Sequence, residues 1–252
     1  MEKPYIGITG FTSREEVETL QNIIPAESGH QFMVGVLLSL NMLRGQAIFS
    51  NRDPLPGRIA EIFGNDPNTL NLIHYHSKEH KTLAQQLFEA TMLGGENMHG
   101  FQLNMAWPSP WEIDHYRMRF PEKVIVLQIG RRAFAMCDND PEAVAGKICE
   151  EYGGLTDYVL LDRSGGHNQL LDTADVRRYL LAFMCRGIAM RYVVAGGLTP
   201  HTLDTIRLLI QEFPYLSIDA EGGLRDANNM LDLFFAREYL RQASMVFNIV
   251  SA

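Results

Sequence analysis

Short apolar segments recur along the chain, and each is followed by polar residues and then by a stretch with helical character. Eight of these segments predict β-strands, because they are short, apolar and bounded by glycine, proline or polar residues. Near-continuous apolar strands are typical of a parallel sheet that is buried on both faces. The predicted strands are Tyr5–Thr9, Gln31–Ser39, Thr69–His76, Gly100–Met105, Lys123–Ile129, Tyr158–Leu161, Met190–Ala195 and Tyr215–Ala220.

Helices are predicted between these strands from capping residues, apolar periodicity and glycine stops. One begins after Thr12-Ser13 and another at Thr199-Pro200, with proline in the first turn. The others lie at Gly57–Phe63, Lys78–Leu93, from Pro108 and Pro110 to about Arg119, and at Pro141–Tyr152, Thr173–Cys185 and Asn229–Arg241. Eight strand-helix units without a proline- or serine-rich linker predict one (β/α)₈ barrel domain over residues 1–252, with eight parallel strands and outer helices. An open doubly wound sheet is the less favoured alternative.

The composition fits this prediction and excludes some partners. The chain has 252 residues, of which 46% are hydrophobic and 21% charged, as in a soluble globular protein with a sizeable core. Its net charge is -8 and it has no Lys/Arg block, so we expect neither nucleic acid nor an anionic membrane surface as a partner. A phosphorylated small molecule is compatible with this charge, because backbone N–H groups bind phosphate whatever the net charge.

The cysteines and the amino-terminal sequence predict a cytoplasmic protein. Cys137, Cys149 and Cys185 have no metal-ligand or redox-motif spacing, which indicates free thiols in a reducing compartment. The first residues do not resemble a signal peptide, and no apolar run approaches the roughly 20 residues needed to span a bilayer. The sequence leaves the oligomeric state open, and a homo-oligomer is compatible with it.

The barrel prediction places function at the carboxyl ends of the strands. Glycine pairs follow the sixth, seventh and eighth strands, and phosphate sites in this fold usually use the loops after strands seven and eight. These glycine pairs are Gly165-Gly166, Gly196-Gly197 and Gly222-Gly223. The polar residues expected at the strand ends are Thr9, Ser39, His74, His76, Gln102, Asn104, Gln128, Asp162 and Asp219.

Five segments from residue 6 to about residue 225 also carry a family resemblance. They are Ile6–Thr12 (IGITGFT), Phe101–Asn104 (FQLN), Leu160–Asp162 (LLD), Val194–Pro200 (VAGGLTP) and Ile218–Gly223 (IDAEGG). In order and type they resemble motifs of phosphoribosylanthranilate isomerase, the (β/α)₈ enzyme of tryptophan biosynthesis. That family isomerises a sugar aldimine by an Amadori rearrangement, with a first-strand cysteine as general base and a sixth-strand aspartate as general acid.

The resemblance implies that Asp162 is the general acid, and it puts Thr9 at the position of the base. A threonine hydroxyl has no ionised form near neutral pH, whereas a cysteine thiolate does. His74 and His76 alternate on the third strand, so both point to one face and are candidates for the base, since imidazole titrates near neutral pH. Two polar residues that simply cap a strand would give the same pattern.

The resemblance also implies a set of binding residues. Phosphate would be held by the turns that contain Gly196, Gly197, Gly222, Gly223 and Gly166. The second-strand arginine that holds the anthranilate carboxylate in the family has two possible equivalents here, Arg44 and Arg52. Gln102, Asn104 and Asp219 are further candidates for substrate binding, although each could instead make structural hydrogen bonds. Glu221 replaces a family serine, and its carboxylate would repel phosphate unless it points away.

Three functions therefore remain open. The first is an isomerase-like enzyme acting on a phosphorylated small molecule, with Asp162 as acid. The second is a barrel epimerase or lyase that uses His74 or His76. The third is a binding protein for phosphorylated metabolites that has lost catalysis. The sequence predicts no cofactor and no metal site, because no spacing fixes a third ligand beside the two histidines, whether from His99, Asp162 or His167.

Overall fold

The computed structural model describes residues 3–163 and 170–251, and within them eight parallel strands form one closed barrel in chain order. The last strand pairs with the first, so no strand edge is left open. This confirms the predicted (β/α)₈ architecture. The strands are β1 (Tyr5–Thr9), β2 (Gln31–Ser39), β3 (Thr69–His76), β4 (Gly100–Leu103), β5 (Val124–Gly130), β6 (Tyr158–Asp162), β7 (Arg191–Ala195) and β8 (Ser217–Ala220).

Helices surround the barrel, and several begin at side-chain caps that the sequence supplies. Ser13 and Glu16 form a reciprocal capping box at the first helix, and Asp140 and Asp172 cap two later ones. None of the described helices is both long and apolar enough to cross a membrane. The α-helices in the described residues are α1 (Arg14–Leu20), α2 (Leu40–Leu43), α3 (Ile59–Ile62), α4 (Leu83–Gly94), α5 (Pro110–Arg119), α6 (Arg131–Ala135), α7 (Pro141–Tyr152), α8 (Thr173–Cys185), α9 (Arg207–Glu212) and α10 (Leu233–Ser251).

Three predicted helix starts were wrong, each because side chains in the preceding loop bind backbone groups. The helix after β3 begins at Leu83 rather than Lys78, since Ser77 exchanges hydrogen bonds with the backbone of Glu79. The chain after Thr199 makes turns and a short 3₁₀ segment before α9, where the Thr202 hydroxyl donates to Gly197 O at 2.8 Å. The last helix begins at Leu233 rather than Asn229.

Two apolar layers account for the core. The larger layer lies between the strands and the helices. The smaller layer fills the interior of the barrel, mainly toward the start of the strands, where the rings of Tyr5 and Tyr158 pack at a tilt of 53° with centroids 5.2 Å apart. Its members are Tyr5, Met33, Leu70, Leu72, Val124, Val126, Tyr158, Leu160, Val193 and Ala195. Because side chains fill this end, a ligand can enter only from the carboxyl ends of the strands.

Candidate active site

A cavity of about 940 Å³ opens at the carboxyl ends of the strands. Its volume lies at the upper end of the range for small-molecule pockets, roughly 300–1,000 Å³. Its lining contains most of the residues predicted from the sequence. These are His74, His76, Gln102, Asn104, Asp162, Asp219, Arg52, Gly196, Gly197, Gly222 and Gly223.

Two predicted site residues do not line this cavity, and one cannot be placed. Thr9 is fully buried and is not part of the cavity lining, and its hydroxyl donates to Asp219. Arg44 follows α2 and forms an exposed ion pair with Glu79, with 3.4 Å between nitrogen and oxygen. Gly166 lies outside the described residues. Of the two candidate arginines, Arg52 is therefore the one that the fold brings to the cavity.

The cavity floor is a chain of hydrogen-bonded side chains that connects two carboxylates. Gln102 on β4 donates to Asp219 Oδ2 on β8 at 3.1 Å and lies 3.3 Å from Gln128 Oε1 on β5. Gln128 in turn donates to Asp162 Oδ2 at 3.3 Å. The two glutamines therefore hold Asp162 and Asp219 in fixed positions on opposite ends of one polar chain.

The Gln102 amide has more acceptors than hydrogens. Its nitrogen lies within hydrogen-bond distance of Asp219, Gln128 and, at 3.2 Å, His74 Nδ1, although an amide NH₂ has only two hydrogens. Its oxygen accepts no hydrogen bond from any described group, and the side chain is only 2% exposed. The arrangement leaves one buried acceptor, Gln102 Oε1, for which the described protein supplies no donor.

Burial raises the pKa of Asp219 to about 7. The negative charges of Glu221 and Asp162 act in the same direction, while hydrogen bonds from Gln102 and Thr9 oppose the rise. A carboxyl group with this pKa exchanges a proton near neutral pH, which an ordinary aspartate does not. Within the cavity it has the titration behaviour expected of a general acid or base.

The two histidines of β3 both line the cavity but have different surroundings. His74 is 5% exposed, and burial lowers the pKa of its imidazole, which favours the neutral ring at neutral pH. His76 is exposed, and its Nδ1 lies 2.8 Å from the carbonyl oxygen of Asn104. This contact requires a hydrogen on Nδ1, so the opposite ring nitrogen of a neutral His76 is an acceptor.

The turns after β7 and β8 pack directly against each other at one side of the cavity. Gly196 and Gly197 have φ angles of 102° and 65°, a backbone region that L side chains rarely adopt. A β-carbon on Gly223 would lie 2.6 Å from Thr199 Cγ2 and 2.8 Å from Leu198 O. Glycine at these positions therefore allows two backbone turns to meet at the cavity wall.

Glu221 lies beside these turns and is neutralised by Arg52. The Arg52 Nη1 to Glu221 Oε1 distance is 2.8 Å, and both side chains are partly buried. Asn51 also donates to the carbonyl oxygen of Asn228 at 3.0 Å, so the segment after α2 is fixed to the loop after β8. The predicted repulsion between Glu221 and an anion is therefore opposed by an arginine in contact with it.

The sequence analysis did not assign several residues that line the cavity, although their positions after strand ends indicated a functional loop. Lys78, Lys81, Arg131 and Arg132 directly follow the carboxyl ends of β3 and β5, where a barrel places functional loops. Gln128 was expected at a strand end but was not assigned to the site. Within the described residues, no group of three or more His, Cys, Asp or Glu side chains is arranged to hold a metal ion.

Comparisons with known proteins agree with the (β/α)₈ fold. No family model matches the chain, and no curated protein matches it by sequence. TrpF from Jonesia denitrificans is similar in structure, with a TM-score of 0.61 and 17% identity over 96% of this chain and 98% of that one. Phosphoribosyl anthranilate isomerase from Thermotoga maritima has the same TM-score and identity, over 95% and 98% of the two chains.

A third structure shares the barrel at lower similarity. 3-keto-L-gulonate-6-phosphate decarboxylase from Vibrio cholerae has a TM-score of 0.53 and 13% identity over 96% of this chain and 99% of that one. At these identities the likeness establishes the fold. The structural likeness to phosphoribosylanthranilate isomerases agrees with the resemblance inferred from the five sequence motifs.

Proposed function

We propose that the protein is an acid/base isomerase acting on a phosphorylated small molecule, with Asp162 and Asp219 as its proton-transfer pair. The observation that carries the proposal is the placement of these two carboxylates. Asp162 on β6 pairs in register with Ala195 on β7, and Ala195 pairs with Asp219 on β8. The two acids therefore lie on alternate strands, with one small side chain between them in the strand register.

This spacing suits a substrate held between the two carboxylates. Neighbouring strands lie about 4.8 Å apart, so the two Cα atoms are separated by roughly 10 Å. Asp162, Asp219 and the small side chain of Ala195 all line the cavity. Asp162 takes the proton-donating role that the family resemblance implies. Asp219, with a pKa of about 7, takes the role of the base.

Asp219 also supplies the base that the threonine at position 9 cannot provide. Thr9 occupies the position of the family's base, but its hydroxyl is buried and donates to Asp219. The proton acceptor in this proposal lies on the eighth strand rather than the first, and Thr9 donates a hydrogen bond to it. Because Thr9 donates to the charged form of the carboxylate, it moderates the pKa that burial raises.

The phosphate would bind at the turns after β7 and β8. Their glycines let backbone N–H groups approach an anion closely, and loops seven and eight are where barrels of this kind usually hold phosphate. Two of the structurally similar enzymes have names that include a phosphorylated compound, namely the isomerase from Thermotoga maritima and the decarboxylase from Vibrio cholerae. Both observations support a phosphorylated ligand at this place in the cavity.

Turnover by the purified protein is the direct test. N-(5′-phosphoribosyl)anthranilate is the first substrate to assay, followed by other phosphorylated sugars and aminosugars. With any substrate that turns over, Asp162→Asn and Asp219→Asn should each lower kcat by about 100-fold or more, the usual share of an acid or base. Asp204→Asn, on an exposed aspartate outside the site, is the control. Unchanged kcat in either active-site variant would refute the role of that residue.

A second candidate is a binding protein that holds phosphorylated metabolites without turning them over. The burial of Thr9 at the position of the family's base favours it, because no side chain from β1 then reaches the cavity. A thermal-shift screen separates the two functions, since a ligand that binds only the folded state raises the melting temperature. Stabilisation by a sugar phosphate without turnover would support this candidate. Loss of turnover in His74→Gln, with both aspartates dispensable, would instead support an epimerase or lyase that uses His74.

A further inference from the structure

A second cavity, of about 370 Å³, lies at the opposite end of the barrel from the candidate active site. It is located where β6 and β7 begin, beside the carboxyl ends of α7 and α8. It shares no lining residue with the candidate active site. We refer to it as the amino-end cavity.

Glycines at the two helix ends leave room for the amino-end cavity. Gly154 follows α7, Gly187 follows α8, and both line the cavity. A β-carbon at either position would meet no atom within 4 Å, so both glycines border open space. The walls that carry side chains include three apolar residues, Ile188, Ala189 and Met190. The cavity therefore combines open space with an apolar wall.

Arg191, the first residue of β7, is a cation in this lining without an anionic partner. Its side chain is partly buried, and its guanidinium forms no ion pair and donates no hydrogen bond within the part of the chain that the structure describes. It packs over the ring of Tyr215, whose centroid lies 5.6 Å from Cζ. Stacking on an aromatic face leaves the in-plane N–H groups of a guanidinium available to an acceptor.

The carboxylate in the same lining is already neutralised by a different arginine. Asp157 forms an ion pair with Arg117 and accepts a hydrogen bond from the backbone N–H of Ile125 at 2.8 Å. Arg191 is close in the chain fold, because its backbone N–H donates to the carbonyl oxygen of Asp157 at 3.0 Å, but its guanidinium does not pair with the carboxylate. Among these three charged groups, one positive charge is therefore left uncompensated.

We infer that the amino-end cavity binds a small carboxylate with an apolar body. The planar fork of the Arg191 guanidinium matches the two oxygens of a carboxylate, and Ile188 and Met190 supply apolar surface for the rest of the molecule. A monoanion is favoured over a phosphate dianion, because one cation is available and Asp157 lies in the same lining.

The size of the cavity limits the ligand to a small molecule. Its volume is near the lower end of the range for ligand pockets, roughly 300–1,000 Å³, which suits a molecule the size of benzoate. This site lies outside the candidate active site, and its occupation does not depend on the proposed function.

Alkylation of Cys149 by iodoacetamide reports whether the cavity is occupied. Cys149 is exposed and lines the cavity, whereas Cys185 is exposed and lies outside the lining, so it is the internal reference. A ligand of this size has a Kd on the order of 1 mM, so about 10 mM benzoate should slow alkylation of Cys149 by about 5- to 10-fold. The rate at Cys185 should not change. Mass spectrometry of the two cysteine-containing peptides measures both rates.

Two comparisons test the role of the guanidinium. Arg191→Gln should abolish the protection of Cys149, whereas Arg178→Gln, which removes an exposed arginine on α8, should leave it intact. In the wild type, benzyl alcohol has the same ring without the carboxylate and should not protect Cys149. This second comparison needs no variant and therefore does not depend on how Arg191→Gln folds.

Four results would overturn the inference. They are the absence of protection by benzoate in the wild type, equal protection by benzyl alcohol, protection that survives in Arg191→Gln, and equal protection by inorganic phosphate. The first would show that the cavity holds no such ligand. The second and third would show that Arg191 does not recognise the carboxylate, and the fourth that the site does not distinguish a carboxylate from other anions. Each of these results would leave the proposed function standing.

Discussion

The hydroxyl of Thr9 donates to the carboxylate of Asp219 and thereby links the first strand of the barrel to the last. The hydroxyl oxygen lies 3.2 Å from Oδ1 and 3.1 Å from Oδ2, and both side chains are buried. The two residues are 210 positions apart in the chain, so only closure of the barrel brings them together. The contact supports a buried carboxyl group at the floor of the cavity and influences when that group ionises.

Asp219 should make folding stability depend on pH in a defined window. The pKa of Asp219 is raised to about 7 in the folded protein, whereas an aspartate in an unfolded chain has a pKa of about 4. The folded state therefore holds this proton more tightly. Its contribution to stability is full below about pH 4 and is lost as the pH rises through about 7.

Asp219→Asn removes this titration. The free energy of unfolding of wild type minus that of the variant should fall by an amount on the order of 4 kcal/mol between pH 4 and pH 8. Urea denaturation at several pH values measures it, and Asp204→Asn, an exposed aspartate, provides the comparison. A difference that stays constant over this range would show that Asp219 titrates normally.

Thr9→Val should act through Asp219 rather than through the ligand. The substitution removes a donor to the carboxylate, so the pKa of Asp219 should rise further and the loss of stability should shift to higher pH. At pH 8, where the carboxylate is charged, the variant should be about 1–3 kcal/mol less stable. Thr9→Ser retains the hydroxyl and should behave like wild type. Identical profiles of stability against pH for Thr9→Val and Thr9→Ser would contradict this role.

Gly35→Ala should destabilise the barrel at the contact with Thr9. A β-carbon there would lie 2.9 Å from Thr9 Cα, and this backbone atom is fixed by the pairing of β1 with β2. Overpacking of a buried site costs about 1–3 kcal/mol, which thermal unfolding would report as a lower Tm. Gly57→Ala meets no atom within 4 Å and is the matched control. Equal melting temperatures would show that the strands separate easily at this point.

Glu221→Gln should strengthen the binding of inorganic phosphate. The change removes a negative charge beside Gly222 and frees Arg52 from its ion pair. We expect affinity to rise by about 3- to 10-fold at low salt and the gain to shrink at about 1 M salt, where the screening length is only about 3 Å. Glu238→Gln, in an exposed pair with Arg241 on α10, should have no effect. Weaker phosphate binding in Glu221→Gln would mean that the Arg52 pair maintains the site.

The sequence predicted the eight strands, their parallel order and most of the cavity lining. Each strand is a local apolar segment, and residues alternate between its two faces, so the inward positions of His74, Gln102, Asp162 and Asp219 follow once the strand ends are known. The starts of α4, α9 and α10 were not predictable in this way. They depend on serine, threonine and aspartate side chains that bind nearby backbone, such as Asp232 to the N–H of Phe235.

The tertiary structure decided which candidates work together. The sequence offered Arg44 and Arg52 as equally good candidates for one binding arginine. The contact between Arg52 and Glu221 spans 169 positions, and only the closed barrel creates it. The raised pKa of Asp219 likewise arises from burial and from charges on other strands, and the identity of the residue alone gives no sign of it. Local apolar patterning determined the barrel, because strands form from neighbouring residues. Long-range contacts determined the chemistry of its cavity, because the burial and charge pairing of a side chain depend on residues that are distant in sequence and close only in the folded barrel.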